Sequence, residues 1–362
     1  MTSPKGPEGP ESAKASDGPP RPGAGTPLLA LRGFRLDVPD PASASATGRR
    51  GEPERRVIVD GVDLTLERGE AVGLVGESGS GKSMTARAVI GLTPPGARTH
   101  GAVVFDGQSV DTLGRRALRA LRSRRIAMVF QDPRAHINPV HSIGDFLTEA
   151  LVTERGVARR EAERRVIALL ADVGIPDGPR RLRQYPHELS GGLLQRVMIA
   201  SVLAAEPDLV LADEPTTALD VTAQSDVMAI LDEARRERGM ALLLITHDLE
   251  LAAATCDRLA VMYAGRTVET QAAQALTEHP RHPYSAGLLR SRPGLEERVR
   301  RLPVIPGRPV AAFEARQAGD GCSFAPRCPH AAPACEQQQP QDRELADGAR
   351  VACLRAEEVA AW

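Results

Sequence analysis

The sequence has no excess of charge of one sign. Its 362 residues include 46 Lys and Arg against 47 Asp and Glu, for a formal net charge of −1. A chain so balanced has no overall field that would recruit DNA or an anionic membrane surface. We therefore expect no nucleic-acid partner. Any such partner would have to be recognised by a local patch of residues.

Long apolar runs are also missing. The longest apolar stretches, Val197 to Ala205 and Ala241 to Ile245, are far shorter than the roughly 20 residues that a membrane-spanning helix needs. The N-terminus has no apolar signal core, and residues 1–27 are dominated by Pro, Gly, Ser and Ala, a composition that cannot offset its own ordering entropy. We expect a cytoplasmic chain with a disordered tail over 1–27 and no membrane span.

What is present is enough apolar material, 42% of the residues, for one large core and an appendage. Alternating patterns predict strands at Leu28 to Val38 and Val57 to Leu66, separated by a Pro/Ser/Arg-rich insertion. Four apolar runs that lead into Gly or polar residues predict the buried strands of a parallel sheet: Ala71 to Val75, Ile126 to Phe130, Leu209 to Ala212 and Ala241 to Ile245.

Helical spacing follows in two places, at Arg115 to Arg125 and at Ser142 to Ala171. From Thr277 onward Pro, Gln and Cys become frequent and the alternation of strands and helices is lost. We therefore predict a main domain over 28–276 and a small C-terminal extension over 277–362.

A phosphate-binding loop follows the predicted strand at Ala71 to Val75. The sequence fits G-x-x-x-x-G-K-[ST] and leads into a helical segment, which is the context that this motif requires. Glycines let successive backbone N–H groups face phosphate oxygens, the Lys reaches the β- and γ-phosphates, and the Ser hydroxyl binds Mg²⁺. The predicted ATP-binding residues are Gly76, Glu77, Ser78, Gly79, Ser80, Gly81, Lys82 and Ser83.

Two carboxylates end another predicted strand, at the sheet edge where nucleotides bind. Adjacent strand positions face opposite ways, so we assign Asp213 to Mg²⁺ and Glu214 to the attacking water. A third strand leads into His247, which is placed to donate a hydrogen bond to the γ-phosphate. Together these residues predict ATP hydrolysis.

The segment Leu189 to Arg196 reads Leu-Ser-Gly-Gly-Leu-Leu-Gln-Arg and resembles the signature of ABC-type ATPases. The resemblance implies that Ser190, Gly191 and Gly192, at a helix N-terminus, contact the γ-phosphate held by the opposite subunit of a dimer. It also implies a mixed α/β, RecA-like core with an antiparallel β subdomain and a helical subdomain over about 142–192.

Two further segments resemble conserved loops of that family. Phe130-Gln131-Asp132-Pro133 is similar to the Q-loop, which implies that Gln131 senses Mg²⁺ and contacts a transmembrane partner. Pro215 to Asp220 is similar to the D-loop, which implies that Asp220 communicates across the dimer. The motifs agree in order and spacing over about 28–270.

The subclass is indicated by His282-Pro283-Tyr284-Ser285, which resembles a motif of oligopeptide, dipeptide and nickel importers. The resemblance implies a cytoplasmic-face ATPase subunit, usually paired with a second, different ATPase subunit. It also implies two permease subunits and an extracytoplasmic solute-binding protein, with peptides, nickel chelates or similar small solutes as cargo. A soluble ABC ATPase acting on DNA or ribosomes is the alternative, but it would need a coiled-coil insertion or a tandem cassette.

Two departures from the family pattern stand out. Leu193 occupies the fifth signature position, where the family carries a polar residue or Met. Val38 stands where the family has an aromatic residue that stacks on adenine. Phe34 and Tyr263 are the nearest aromatic alternatives, and the base-stacking residue stays unassigned at this point.

Four of the five cysteines, Cys322, Cys328, Cys335 and Cys353, lie in the C-terminal extension. Clustered thiols in a cytosolic chain indicate metal coordination rather than disulfides, and the spacing is not that of a zinc ribbon. Four thiolates are the usual ligand set of an iron–sulfur cluster, and the family resemblance implies a four-iron four-sulfur cluster. Unliganded thiols, or His330 as a substitute ligand, remain open.

Overall fold

A computed structural model describes residues 25–41, 54–217, 219–291, 304–317 and 319–359. Most of the predicted N-terminal tail and the middle of the predicted insertion lie outside the described residues. The fold that follows is built from the remainder.

The six predicted strands are found within two residues of their predicted bounds, among twelve strands in the described residues. They are β1 (Leu29–Pro39), β2 (Arg55–Leu66), β3 (Ala71–Val75), β4 (Arg98–Phe105), β5 (Gln108–Ser109), β6 (Ile126–Val129), β7 (Leu209–Asp213), β8 (Ala241–Thr246), β9 (Arg258–Tyr263), β10 (Arg266–Ala272), β11 (Arg343–Glu344) and β12 (Arg350–Val351).

The helices fill the intervals between the strands. They are α1 (Lys82–Val89), α2 (Arg115–Arg124), α3 (Pro133–His136), α4 (Ile143–Thr153), α5 (Arg159–Asp172), α6 (Gly178–Arg181), α7 (Gly191–Ala204), α8 (Val221–Arg238), α9 (Leu249–Thr255), α10 (Ala273–Glu278), α11 (Pro283–Arg290), α12 (Ala312–Gln317) and α13 (Pro333–Gln337). Across the described ranges, none of them combines the length and the apolar character that crossing a bilayer demands.

The main sheet has the order β11-β12-β10-β9-β3-β8-β7-β6 among the described residues. Strands β9, β3, β8, β7 and β6 run parallel, and β10, β12 and β11 add antiparallel edges. In β7, Leu209 and Leu211 pack into one apolar core, while Val210 and Ala212 pack into a second core on the opposite face. Burial on both faces explains why these strands read as continuous apolar runs.

A second, antiparallel sheet has the order β2-β1-β4-β5. It packs with α1 against one face of the main sheet, where Phe34 and Leu36 join the core. Helices α4, α5 and α7 cover the other face. The segment with predicted helical spacing, Ser142 to Ala171, contains the two helices α4 and α5. These two additions correspond to the antiparallel and helical subdomains that the family resemblance implies.

Described residues after Thr277 pack on the main sheet. Strand β12 pairs with β10, with Val351 opposite Glu269. The Phe324 ring, 2% exposed, lies 5.2 Å from the ring of Tyr263 and 5.4 Å from that of Tyr284. The predicted boundary near Thr277 falls inside α10, and the division into domains stays a prediction.

Candidate functional site

The phosphate loop is the turn between β3 and α1, and its backbone lies against β9 and β2. A Cβ on Gly76 (φ +152°) would lie 2.1 Å from the carbonyl oxygen of Met262, and one on Gly81 (φ +101°) would lie 2.8 Å from that of Ile58. Both contacts are far too short for a real side chain. The two glycines are therefore required by the close approach of neighbouring backbone.

Lys82 begins α1 and folds its side chain into this loop. Its Nζ donates hydrogen bonds to the carbonyl oxygens of Gly76 (2.7 Å) and Glu77 (3.0 Å). Burial lowers the pKa of Lys82, although the carboxylates of Glu214 and Asp213 act in the opposite direction. The ammonium group is thus held where a phosphate bound to the loop would meet it.

Ser83 and Asp213 meet across the space between α1 and β7. The Ser83 Oγ donates a hydrogen bond of 2.6 Å to Asp213 Oδ1, and Asp213 is fully buried. Its Oδ2 is buried without a hydrogen-bond partner and lies 3.6 Å from the guanidinium of Arg87. Burial raises the pKa of Asp213, although the Ser83 hydroxyl and Arg87 lower it. A hydroxyl beside an incompletely satisfied carboxylate is a donor set that fits Mg²⁺.

Glu214 lies at the centre of a polar cluster at the end of β7. Its Oε2 accepts hydrogen bonds from Gln131 Nε2 and Thr217 Oγ1, both at 2.9 Å, and its Oε1 lies 3.4 Å from His247 Nδ1. Glu214 itself has a positive φ of +47°, which is uncommon outside glycine. The chain therefore turns out of the strand here and aims this side chain differently from that of Asp213.

A cleft of about 850 Å³ runs along these groups. Its lining combines the phosphate loop with Gln131, Glu214 and His247, and adds apolar side chains from β2, α1 and the C-terminal extension. The cleft thus brings together the loop and hydrolysis residues that the sequence predicts. Asp213 and Ser80 are exceptions, because they are buried and do not line the cleft.

The signature residues lie outside this cleft. Ser190 caps α7, where its Oγ accepts a hydrogen bond from the Leu193 N–H, and Ser190 and Gly191 are exposed. A Cβ on Gly191 would meet nothing within 4 Å. Asp220 caps α8 in the same way, by accepting a hydrogen bond from the Ala223 N–H. These residues face solvent rather than the phosphate loop of their own chain.

Sequence reasoning missed the direct link between the phosphate loop and the C-terminal extension. The Arg327 guanidinium donates two hydrogen bonds, of 2.6 and 3.0 Å, to the Glu77 carboxylate, and its side chain is 4% exposed. The Glu77 N–H donates to Tyr284 Oη at 2.9 Å. Arg327 precedes Cys328 directly, so the cysteine-rich segment that is remote in sequence is adjacent to the loop in space.

Both aromatic candidates for base stacking are absorbed by the core. Phe34 is 1% exposed and Tyr263 is 2% exposed. Phe313, from α12, lines the cleft instead. No local pattern marks it, because it is a single aromatic residue in a six-residue helix whose position depends on tertiary packing.

The four cysteines of the extension lie in one region. The Cys322 N–H donates to the carbonyl oxygen of Cys335 at 2.7 Å, and the Cys353 Sγ accepts from the Arg355 N–H at 3.4 Å. Burial raises the pKa of Cys353 to about 11, and the thiols of Cys322, Cys328 and Cys335 act in the same direction. Within the described ranges, however, no set of three or more His, Cys, Asp or Glu side chains is arranged to hold a metal ion. The iron–sulfur cluster therefore stays a prediction.

Comparison with known proteins bears out the resemblance carried by the motifs. The family model described as ABC transporter matches residues 59–217, and the one described as oligopeptide/dipeptide transporter, C-terminal region, matches residues 268–335. The oligopeptide transport ATP-binding protein OppD of Salmonella typhimurium is 43% identical over 82% of this chain and 88% of its own length. The chain belongs to the ABC transporter family. It is an ATPase subunit of that family.

Other matches agree with this assignment. The dipeptide transport ATP-binding protein DppD of Escherichia coli is 43% identical over 82% of this chain and 90% of its own length. The solved dimer of the ABC transporter cassette MJ0796, bound to ADP and Pi, matches with a TM-score of 0.58 and 27% identity over 68% of this chain and 99% of that one. The predicted ABC-type fold is confirmed.

The Arg327–Glu77 pair generates a testable prediction. Replacing Arg327 by Gln leaves the part-buried Glu77 carboxylate without its main partner, which we expect to cost about 1–3 kcal/mol of folding free energy and to weaken ATP binding. Urea unfolding and equilibrium ATP titration measure the two effects. In the double variant Arg327→Gln/Glu77→Gln each loss should be smaller than the sum of the losses in the two single variants, because the two residues act as one unit.

The matched control is Arg308→Gln. Arg308 is 75% exposed and pairs with Glu314 at 3.1 Å, so its removal should change stability by less than about 0.5 kcal/mol. Strictly additive losses for Arg327 and Glu77 would show that the pair does not position the phosphate loop.

Proposed function

We propose that this ABC ATPase subunit couples hydrolysis of ATP to the import of peptides or related small solutes. The observation that carries the hydrolytic part is the convergence of Gln131, Glu214 and His247 on the cleft that holds the phosphate loop. The cargo class is supported by the match to the oligopeptide/dipeptide C-terminal region and by the names of the relatives. Nickel or nickel chelates are the alternative cargo.

In the proposed mechanism the phosphate loop binds the β- and γ-phosphates through backbone N–H groups and the Lys82 ammonium. Ser83, Asp213 and Gln131 would hold Mg²⁺, which neutralises charge on the phosphates when bound. Glu214 orients a water molecule and accepts its proton as the water oxygen attacks the γ-phosphorus and the bond to ADP breaks. His247 donates a hydrogen bond to the γ-phosphate.

We propose that the exposed signature acts across a dimer. Ser190 and its two glycines open a 14-residue helix, so their N–H groups can face a phosphate held by another subunit. Asp220 would transmit contact between the subunits. The solved relative MJ0796 is a dimer, and we propose a second, different ABC ATPase as the partner here.

The remaining partners follow from the same proposal. The ATPase pair would sit at the cytoplasmic face of the cell membrane and drive two permease subunits, which an extracytoplasmic solute-binding protein supplies with cargo. A soluble ABC ATPase for DNA or ribosomes is less well supported. It would need a long coiled-coil insertion, whereas the longest helix among the described residues is α8, with 18 residues.

We also propose that the four cysteines of the extension hold an iron–sulfur cluster. The proposal is supported by the backbone hydrogen bond between Cys322 and Cys335 and by the hydrogen bond from a backbone N–H to the Cys353 thiol, a type of contact that tunes such clusters. A polynuclear cluster is wider than a single ion, so its ligands need not meet at one point. Its role would be structural or redox-sensing.

The general-base assignment is tested with Glu214→Gln. The change keeps size and hydrogen bonding but removes the charge that orients water, so turnover should fall by roughly 10²- to 10⁴-fold while ATP still binds. Steady-state phosphate release and equilibrium ATP binding measure the two effects. Glu163→Gln, at a half-buried position of α5 paired with Arg159, should leave both unchanged. Near-normal hydrolysis in Glu214→Gln would remove Glu214 from the mechanism.

The signature assignment is tested with Ser190→Arg. The bulky side chain should obstruct closure over the opposite subunit's phosphate, so ATP-driven dimerisation should fail while ATP docks normally in the variant's own loop. Sedimentation with and without ATP, in mixtures with a partner subunit, measures dimerisation. Equilibrium ATP binding to the variant alone measures docking. Thr153→Arg, at an exposed position in the last turn of α4, is the control. Joint loss of binding and dimerisation would mean that Ser190 supports its own chain.

The cluster assignment is tested by analysis of protein purified without oxygen. We expect iron and acid-labile sulfide with visible absorption, and their loss in Cys328→Ser/Cys335→Ser. The control is Cys256→Ser, because Cys256 is buried in the main core and precedes the extension in the sequence. Stoichiometric zinc without iron would indicate a structural zinc site instead, and a metal-free protein would leave ordinary thiols.

A further inference from the structure

One side chain in the cleft has no part in phosphate chemistry. Phe313 is the only Phe, Tyr or Trp among the described residues that line the cleft. Apolar side chains of Ile58, Met84 and Leu288 line it as well. This combination of a flat aromatic ring and an apolar wall is suited to a flat, weakly polar group rather than to a phosphate.

The position of Phe313 is fixed by its short helix. Ala312 is 3% exposed and lies so near Gly265 that a Cβ there would come within 2.5 Å of the Ala312 Cβ. Arg316 donates two hydrogen bonds, of 3.0 and 3.1 Å, to the carboxylate of Asp60 on β2. The helix is thus attached to the same strand as Ile58.

The ring is also held from one side. The Arg56 guanidinium lies over it, 4.8 Å from the ring centroid, and forms an ion pair of 2.8 Å with Asp40. Arg56 is not among the described residues that line the cleft. A cation over one face of the ring therefore restrains it without filling the cleft.

We propose that Phe313 is the residue on which the nucleotide base stacks, an inference that rests on the proposed ATP site and deepens it. Phosphates bound at the loop anchor one end of the nucleotide, and the base must then lie against another part of the cleft wall. Aromatic stacking on a base is worth roughly 1–3 kcal/mol, and it tolerates any base because every base has a π-face. Phe313 thus contributes to the affinity for a nucleotide but gives little selectivity between adenine and guanine. The extension consequently supplies part of the nucleotide site.

The experiment compares ATP with inorganic tripolyphosphate, which has the phosphates but no base. In Phe313→Leu, which keeps an apolar side chain on α12, ATP affinity should fall roughly ten-fold or more. Tripolyphosphate affinity should stay within about two-fold, and GTP should be weakened as much as ATP. An unchanged ATP affinity would overturn the proposal, as would an equal loss for tripolyphosphate, since the latter would mean that α12 only supports the loop.

Phe313→Trp is the rescue variant. It should restore ATP affinity, and its fluorescence, measured above the background of the wild-type Trp362, should be quenched by ATP but not by tripolyphosphate. Equal quenching by both ligands would contradict stacking. Lys82→Ala should weaken both ligands in every background, which tests the phosphate site by itself. If the unaltered chain binds neither ligand, the proposed function fails first and this inference fails with it.

Discussion

The site depends on the parallel register of three central strands. Val75 of β3 lies opposite Thr246 of β8, and Asp213 of β7 lies opposite Ile245. Because parallel strands end at the same edge, the loop after β3, the carboxylate after β7 and the histidine after β8 emerge side by side. The hydrogen bonds of Ser83 to Asp213 and of Gln131 to Glu214 depend on that register.

Close backbone packing and buried charge then refine the site. Gly76 is forced by the Met262 carbonyl, and the tight loop that results surrounds the Lys82 ammonium with carbonyl oxygens. Lys82 and Asp213 are opposite charges in a largely buried setting, where each interaction is stronger than in water and each unsatisfied atom costs more. Carbonyl oxygens of the loop hold the Lys82 ammonium and the Ser83 hydroxyl holds Asp213, so both charges have fixed positions.

The C-terminal extension belongs to the same physical unit as the phosphate loop. Its aromatic residues join the core beside Tyr263, and Arg327 and Tyr284 hold Glu77 from behind the loop. Arg327 is adjacent to Cys328 in the chain, so a change in the geometry of the cysteine region has a short covalent and hydrogen-bonded route to the nucleotide site. The extension thus contributes to the cleft in two ways, through Arg327, which holds Glu77, and through Phe313.

The sequence by itself determined the central strands, the phosphate loop and the residues at the ends of β7 and β8. It did so because buried parallel strands are continuous apolar runs and because phosphate and Mg²⁺ chemistry needs fixed residue types at short spacing. Tertiary structure alone decided that Arg327 meets Glu77 and that Phe313, rather than Phe34, faces the cleft. Those contacts join residues about 250 positions apart, and no periodicity or local motif encodes which distant side chains meet when a core closes.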